Sequence, residues 1–413
     1  MTKKSNGLSS ISSGSKRSIF DIVKSVDKSA EILGESRNAV IKDYINTGSY
    51  ILNAAIAGSL FRGYACGRVS VLAGPNSSGK SFLAISACRE AQKKGYTPIY
   101  LDSEGAIDIE FVKRLGCDPS NFVIKQVTTI AETSTFIANV LKEVNSAPED
   151  EKPKIMIVLD SVGNLTSDKE LADTIDANQK KDMTKQQELK ALFRTNVTAL
   201  SKANCPFIVI CHVYQTLDLY SKTVVGGGQG ISFSSSTTIL LSTAKLDDKE
   251  SDKIAEKKTG DYVKTGVIVT AKAEKSRFTI PQKVQFVIPF FKKPNPYIGL
   301  EKYLDWDNFG VMVGELLDEK AYNKLSDTDK KLCSEMKNEK GDTCYAHPKE
   351  SSKKIVVRHL GKEIPKQELY TPEVFTDELL KKMDETVIRP NFELPSSDSN
   401  TDVEELFEES TED

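Results

Sequence analysis

The sequence predicts an α/β fold built on a mostly parallel sheet, and three observations carry that expectation. Residues 69–94 read as a buried apolar strand, a glycine-bounded loop and a helix. Short β-branched or apolar runs at 97–102, 155–159 and 207–210 follow, each bounded by polar residues. Helical spacing fills the intervals between them, and strands joined through helices run parallel rather than as hairpins.

The chain has 413 residues, room for one large core and one or two smaller domains. Its 39% hydrophobic and 28% charged content is that of a water-soluble globular protein. No apolar run is long enough to cross a bilayer and no cleavable signal pattern opens the chain, so a cytoplasmic location is expected. Seven scattered cysteines, an odd number, argue against a disulfide framework and fit a reducing compartment. The net charge of -3 hides an asymmetry. Residues 391–413 hold nine acidic side chains and no Lys or Arg, which leaves +6 on the remainder. A mildly basic body with an acidic tail suits a nucleic-acid binder whose tail competes for its basic surface, or a tail that only aids solubility.

Taken in order, residues 1–17 are Ser-, Gly- and Lys-rich and read as disordered. Residues 19–33 have helical apolar spacing after a possible Ser18 cap, ending at Gly34. That stripe must be covered by the chain's own core or by a neighbouring subunit. Thr47-Gly48-Ser49 leads into a helix over 50–56. The loop Gly74-Pro75-Asn76-Ser77-Ser78-Gly79-Lys80-Ser81 then fits G-x-x-x-x-G-K-[ST], the pattern that wraps a phosphate in backbone N–H groups. The helix N-terminus behind it adds positive partial charge. Lys80 is placed to reach the β/γ-phosphates and Ser81 to sit on Mg²⁺.

Strand 97–102 ends in Ser103-Glu104-Gly105, putting a carboxylate where parallel sheets bind ligands. Glu104 is the candidate base for an attacking water, against the alternative of an exposed turn acid. Phe111, in a helical stretch over 110–115, could stack on an adenine or serve the core. A helix over 131–144 precedes the run ending in Asp160, the residue type that holds Mg²⁺ through water beside a phosphate loop.

Residues 167–185 are polar and read as a mobile loop carrying Lys180 and Lys181. The following helix buries Leu189, Leu192, Phe193, Val197 and Leu200 and leaves Arg194 at its polar edge. His212 ends the next strand, where it could sense a γ-phosphate or be structural. Residues 213–230 read as a second loop, with Tyr214, Tyr220, Lys222 and Gly226-Gly227-Gly228-Gln229-Gly230 suited to a phosphodiester backbone. Strands over 238–241 and 266–271 flank a lysine-rich excursion. Lys275 and Arg277, two residues apart, could reach a neighbour's nucleotide or simply line a basic edge. Cys333, Cys344, His347 and His359 lack the spacing of a zinc site.

The order and spacing of these motifs resemble the RecA family of recombinases. The matching residues are Thr47-Gly48, the phosphate loop, the stretch from Leu101 to Asp108, and Val158-Leu159-Asp160-Ser161-Val162. Asp160 to Leu165, His212 to Thr216, Tyr220 to Gly228 and Glu274-Lys275-Ser276-Arg277 look most like the UvsX-type recombinases of tailed phages. The resemblance covers about 45–290. It implies a RecA-type core over 45–293 behind an N-terminal oligomerisation segment over 18–44, then a smaller C-terminal α+β domain over 294–390 and an acidic tail over 391–413. It also implies ATP and Mg²⁺ as cofactors, Glu104 as catalytic carboxylate, and Asp108 and Phe111 at the nucleotide. Lys275 and Arg277 then act on the adjacent protomer's nucleotide. The two loops and Arg194 contact DNA.

The partners implied are single-stranded DNA, homologous duplex, further copies in a helical filament, a phage single-stranded-DNA-binding protein and a loading mediator, in the host cytoplasm. A ring motor such as a helicase, and a non-catalytic mediator, share the nucleotide motifs. The intact Lys80, Glu104 and Asp160 count against the mediator.

Overall fold

The computed structural model describes residues 18–27, 30, 33, 40–175, 184–215, 223–243, 256–258, 261–263, 266–289, 316–317, 326–327, 354–357, 362–365 and 375–394. Lys180, Lys181, Tyr220, Lys222 and the four Cys and His residues weighed for zinc lie outside them. The chain divides into two units, residues 1–41 and 42–413.

In the first unit, helix α1 (Ile19–Val26) begins at Ser18 and Asp21, which cap it reciprocally. It ends at Asp27, well short of Gly34, because Asp27 takes an extended backbone (φ -141°). An acid there also sits at the negative end of the helix dipole, where continuation is disfavoured. Ile19, Phe20, Ile22, Val23 and Val26 are all exposed within this unit.

In the second unit, β1 (Tyr44–Ile45) pairs with β2 (Tyr64–Ala65) on either side of α2 (Tyr50–Ala57). The alternation then runs β3 (Val69–Gly74), α3 (Lys80–Lys93), β4 (Thr97–Asp102), α4 (Ile109–Arg114), β5 (Val123–Gln126), α5 (Ile130–Ser146) and β6 (Ile155–Asp160). It continues with α6 (Asp168–Ile175), α7 (Lys185–Lys202), β7 (Phe207–Gln215), β8 (Thr223–Val225), α8 (Gln229–Ser234) and β9 (Thr237–Thr243). A hairpin, β10 (Glu256–Lys258) with β11 (Asp261–Val263), precedes β12 (Gly266–Ser276) and β13 (Lys283–Pro289). A small antiparallel sheet joins β14 (Leu316–Leu317), β15 (Lys354–Val357) and β16 (Lys362–Pro365).

The main sheet has the order β13-β12-β9-β3-β7-β6-β4-β5. From β9 to β5 every pairing is parallel, and β12 and β13 add an antiparallel edge. Alternate residues serve two core layers. Leu72 of β3 with Ile208 and Ile210 of β7 pack on the side of α2 and α3. Val69, Val71 and Ala73 with Phe207, Val209 and Cys211 pack on the side of α5 and α7. Burial on both faces is why these strands read as continuous apolar runs.

Further features depart from the sequence expectations, among them Val197 on α7, which is 37% exposed where burial was expected. β5, a short and mixed sequence, and β13, whose Val284, Phe286 and Ile288 alternate, are strands beyond those expected. The polar stretch after Ser167 contains α6, because the Ser167 hydroxyl accepts from Glu170 N at 2.9 Å and starts a helix that composition alone conceals. The loop expected over 213–230 has an ordered base: β7 runs on to Gln215 and pairs with β8 through Val213, Val225 and Val224, β-branched residues suited to a strand.

The segment 375–394 returns to the core as a strap. It comprises α9 (Asp377–Met383), a π turn over Asp384–Ile388 and α10 (Arg389–Phe392). Phe375, Leu380, Met383, Ile388 and Phe392 join the same core layer as α2. α2 stops at Gly58, whose φ of 70° admits glycine readily. Just beyond, the Ser59 hydroxyl (3.0 Å) and Leu60 N–H (2.6 Å) donate to the Asp384 carboxylate, which also takes Arg389 Nε at 2.9 Å. Asp384 is 1% exposed, so its charge depends on these three donors. Replacing it with alanine is expected to cost about 3 kcal/mol, because two buried donors and a guanidinium lose their acceptor. The check is a lower urea midpoint at unchanged slope.

Candidate functional site

Strands β3, β7, β6 and β4 lie in that order, so the loops leaving their carboxyl ends share one crevice. A cavity of about 260 Å³ opens there, lined by Asn76, Ser77, Ser78, Gly79, Lys80, Ser81 and Phe82 with Glu104, Asp160 and His212. Residues from four different strand ends thus meet at one place.

The turn itself needs glycine. A Cβ on Gly74 would fall 2.8 Å from the Leu241 carbonyl, and Gly79 has φ 87°. No side chain caps α3, so the amides of its first turn stay available at the cavity. Lys80 is buried, its Nζ donating to the carbonyls of Gly74 (3.0 Å) and Pro75 (2.7 Å). Burial pushes its pKa down, while the charges of Asp160 and Glu104 oppose that shift.

Asp160 ends β6 and is 2% exposed. Its Oδ2 accepts from Ser81 Oγ and from the Tyr100 hydroxyl, both at 2.6 Å. Burial holds its pKa above the ordinary carboxylate value despite these donors, with the charges of Glu104 and Asp102 adding to the rise. The other oxygen, Oδ1, is buried without a hydrogen-bond partner among the described residues, as is Ser78 Oγ. Two orphaned oxygens beside a lysine and a row of free amides fit a hydrated divalent cation and an anion it accompanies.

Glu104 leaves β4 on a turn fastened by Asp102, whose Oδ1 accepts from the N–H groups of Glu104 (2.9 Å) and Gly105 (2.8 Å). The Oε1 of Glu104 accepts from Ser161 Oγ at 2.8 Å and lies 3.0 Å from His212 Nε2. Burial opposes ionisation of Glu104. The hydrogen bonds from His212 and Ser161, with the charges of His212 and Lys80, more than offset it and hold the carboxyl below its usual value. Ser161, joined to Asp160 by a cis peptide, is positioned by Ser103, whose Oγ accepts from Ser161 N and donates to Ser161 O.

Ser161, Tyr100, Asp102 and Ser103 were not singled out as site residues from the sequence. Tyr100, Ser103 and Ser161 are common polar residues whose importance lies in a partner far along the chain, and Asp102 fastens the turn that follows it. Their one visible signal is adjacency to Glu104, Asp160 or the strand that delivers them.

Other expected positions lie elsewhere. Asp108 caps α4, accepting from Phe111 N at 2.8 Å, and Phe111 packs half-buried against the core. Neither lines the cavity. Lys275 donates to the carbonyls of Ser232 (2.5 Å) and Ser235 (2.7 Å) at the end of α8, and Arg277 lines a different cleft with Arg194. Burial lowers the Lys275 pKa, and the charge of Arg277 lowers it further. Tyr214 is exposed near the end of β7. Gly226 donates its N–H to the His212 carbonyl at 2.7 Å, so the glycine run hangs directly from the strand that carries His212. Gly227 and Gly228 have φ 91° and 75°, and Gln229 opens α8.

Residues 16–281 match the RecA N-terminal domain family. The chain belongs to the RecA family. Relatives of this RecA-family chain include the "Recombination and repair protein" of Enterobacteria phage T4, 29% identical over 63% of the chain and 62% of that protein. Protein RecA of Wolbachia from Brugia malayi is 33% identical over 57% of the chain and 63% of its own length. Protein RecA of Mesoplasma florum is 26% identical over 63% and 72%. The chain therefore spans a little under two thirds of the first two relatives. Among the described residues of this RecA-family protein, no helix is long and apolar enough to cross a membrane.

Replacing His212 with alanine is expected to raise the Glu104 pKa, because it removes a donor and a positive charge from Oε1. In the parent protein the stability gained from ionised Glu104 is complete above the unfolded carboxyl pKa and is lost as pH falls through its depressed folded value. In the variant the folded value moves up towards the unfolded one, so the window of loss narrows from its acid end and less stability is lost within it. Carboxylate NMR titration, with Glu104→Gln identifying the resonance, reads the shift.

Proposed function

We propose that this protein is an ATP-dependent DNA recombinase. It polymerises on single-stranded DNA and promotes homologous pairing and strand exchange in phage recombination, repair and recombination-dependent replication. The observation that carries the reading is the convergence of the phosphate loop, Glu104, Asp160 and His212 on one cavity, with Lys275 and Arg277 standing away from it. A site with its cations missing on one side is one that a second copy can complete.

In this reading the N–H groups of 76–81 and the Lys80 ammonium hold the phosphates of ATP, Lys80 exchanging its present carbonyl partners for them. Ser81 and Asp160 would hold Mg²⁺, which neutralises charge on the phosphate oxygens when bound. Glu104, kept ionised by Ser161 and His212, orients and deprotonates the attacking water. His212 touches both Glu104 and, through its carbonyl, Gly226. A change at the γ-phosphate is thereby transmitted to the glycine run.

Lys275 and Arg277 approach the nucleotide of the adjacent protomer, so ATP bridges two copies. A head-to-tail contact that does not close builds a filament. Arg194, Lys180, Lys181, Lys222, Tyr214 and the run Gly226-Gly227-Gly228-Gln229 hold the DNA backbone and leave base edges free for pairing. Loss of the γ-phosphate loosens the interface and recycles the protein. A single-stranded-DNA-binding protein and a loading factor are the expected accessories in the host cytoplasm.

Lys80→Ala is expected to abolish single-stranded-DNA-dependent ATP hydrolysis. Glu104→Ala should slow it by roughly 10²–10⁴-fold while filaments still assemble with ATP. A coupled ATPase assay with and without DNA reads the first effect. Electron microscopy reads the second, and closed rings in place of filaments would replace the recombinase with a ring motor.

A further inference from the structure

Tyr100 carries a polar atom that its place in the core does not require. It lies on β4 opposite Val158 of β6, in the apolar layer on the side of α2 and α3, and is fully buried. Its ring stacks on Phe122, with centroids 6.0 Å apart. A phenylalanine would fill that volume as well and would spare the cost of desolvating a hydroxyl. The hydroxyl is nevertheless engaged. It donates at 2.6 Å to Oδ2 of Asp160, which stands two residues beyond Val158 and so on the same face of β6.

Asp160 is left with two unlike oxygens. Oδ2 carries two donors, the hydroxyls of Tyr100 and Ser81, while Oδ1 is buried with no hydrogen-bond partner among the described residues. That asymmetry bears on which cation the carboxylate can serve. Ca²⁺ gathers many oxygens in flexible geometry and commonly clasps both oxygens of one carboxylate. Mg²⁺ is smaller, keeps several of its waters and demands near-octahedral geometry, so a single carboxylate oxygen suits it. With Oδ2 occupied, Asp160 offers Oδ1 alone. Of the two donors, Ser81 sits on the loop that lines the cavity, whereas Tyr100 is locked in the core. Tyr100 is therefore the donor whose place does not depend on what the cavity holds.

We infer, on the reading of this cavity as a nucleotide site, that Tyr100 determines which cation accompanies the nucleotide. Its hydroxyl closes Oδ2 of Asp160 against a second metal–oxygen bond and thereby favours Mg²⁺ over Ca²⁺. Tyr100 is a positioning residue: it lies outside the cavity lining and acts through Asp160.

Fluorescence titration of the full chain with mant-ADP, without DNA, tests this in excess EDTA, in Mg²⁺ and in Ca²⁺. The diphosphate is used because it lacks the γ-phosphate that bridges two copies in the proposed reading. The quantity compared between the parent and Tyr100→Phe is the factor by which each cation tightens mant-ADP binding over EDTA. In the parent the Mg²⁺ factor is expected to exceed the Ca²⁺ factor. In Tyr100→Phe the ratio of the two should fall about tenfold, the size of effect that the supporting partner of a metal ligand has, with affinity in EDTA unchanged. Tightening by Mg²⁺ in the parent with the same Mg²⁺-to-Ca²⁺ ratio in Tyr100→Phe would overturn the inference alone. Weaker binding by the variant in EDTA would also overturn it, because Tyr100 would then support the whole cavity. A parent chain that binds mant-ADP equally in EDTA and in Mg²⁺ would remove the cation from Asp160 altogether, and the role of Tyr100 with it.

Discussion

The adjacency of four parallel strand ends governs this molecule. β3 contributes a phosphate-type loop, β4 a carboxylate, β6 an aspartate and β7 a histidine, and the order β3-β7-β6-β4 brings them within hydrogen-bond reach. No local sequence could do this, because Ser81 and Asp160, or Glu104 and His212, lie far apart along the chain. The sheet does it by burying both faces of each strand, which fixes register and leaves the carboxyl edge as the place where polar groups are tolerated.

Two consequences follow for the electrostatics of the edge. Asp160 and Glu104 are neighbouring carboxylates whose environments push their pKa values apart, one upward through burial and one downward through donors. Separation of this kind assigns different tasks to chemically similar groups. The Lys80 ammonium, meanwhile, satisfies itself on the carbonyls of its own loop. A buried cation resting on neutral acceptors makes weaker hydrogen bonds than it would with an anion.

Most of the parallel core could be read from the chain because burial on both faces writes itself as apolar runs, as in 155–159 and 207–210. The phosphate loop was equally plain, since its glycines and Lys80 answer to local geometry. What could not be read depends on distant partners. Ser161 acquires its place from Glu104 and Ser103, both nearly sixty residues away along the chain. β5 escaped because its residues are mostly exposed at the sheet edge, whereas β13 shows the apolar alternation of Val284, Phe286 and Ile288 and was legible in principle. The strap over 375–394 was invisible because its partners are distant: Asp384 is unremarkable until Ser59 and Leu60 are placed opposite it.

That strap changes what counts as the core. The chain leaves the main sheet at the end of β13, residue 289, and rejoins the α2 layer at Phe375, so both ends of the intervening stretch are nailed to one body. Cutting the chain after residue 289 would strip the strap from the α2 layer and leave apolar surface facing water, so a minimal folded fragment must carry its own distant C-terminal lid.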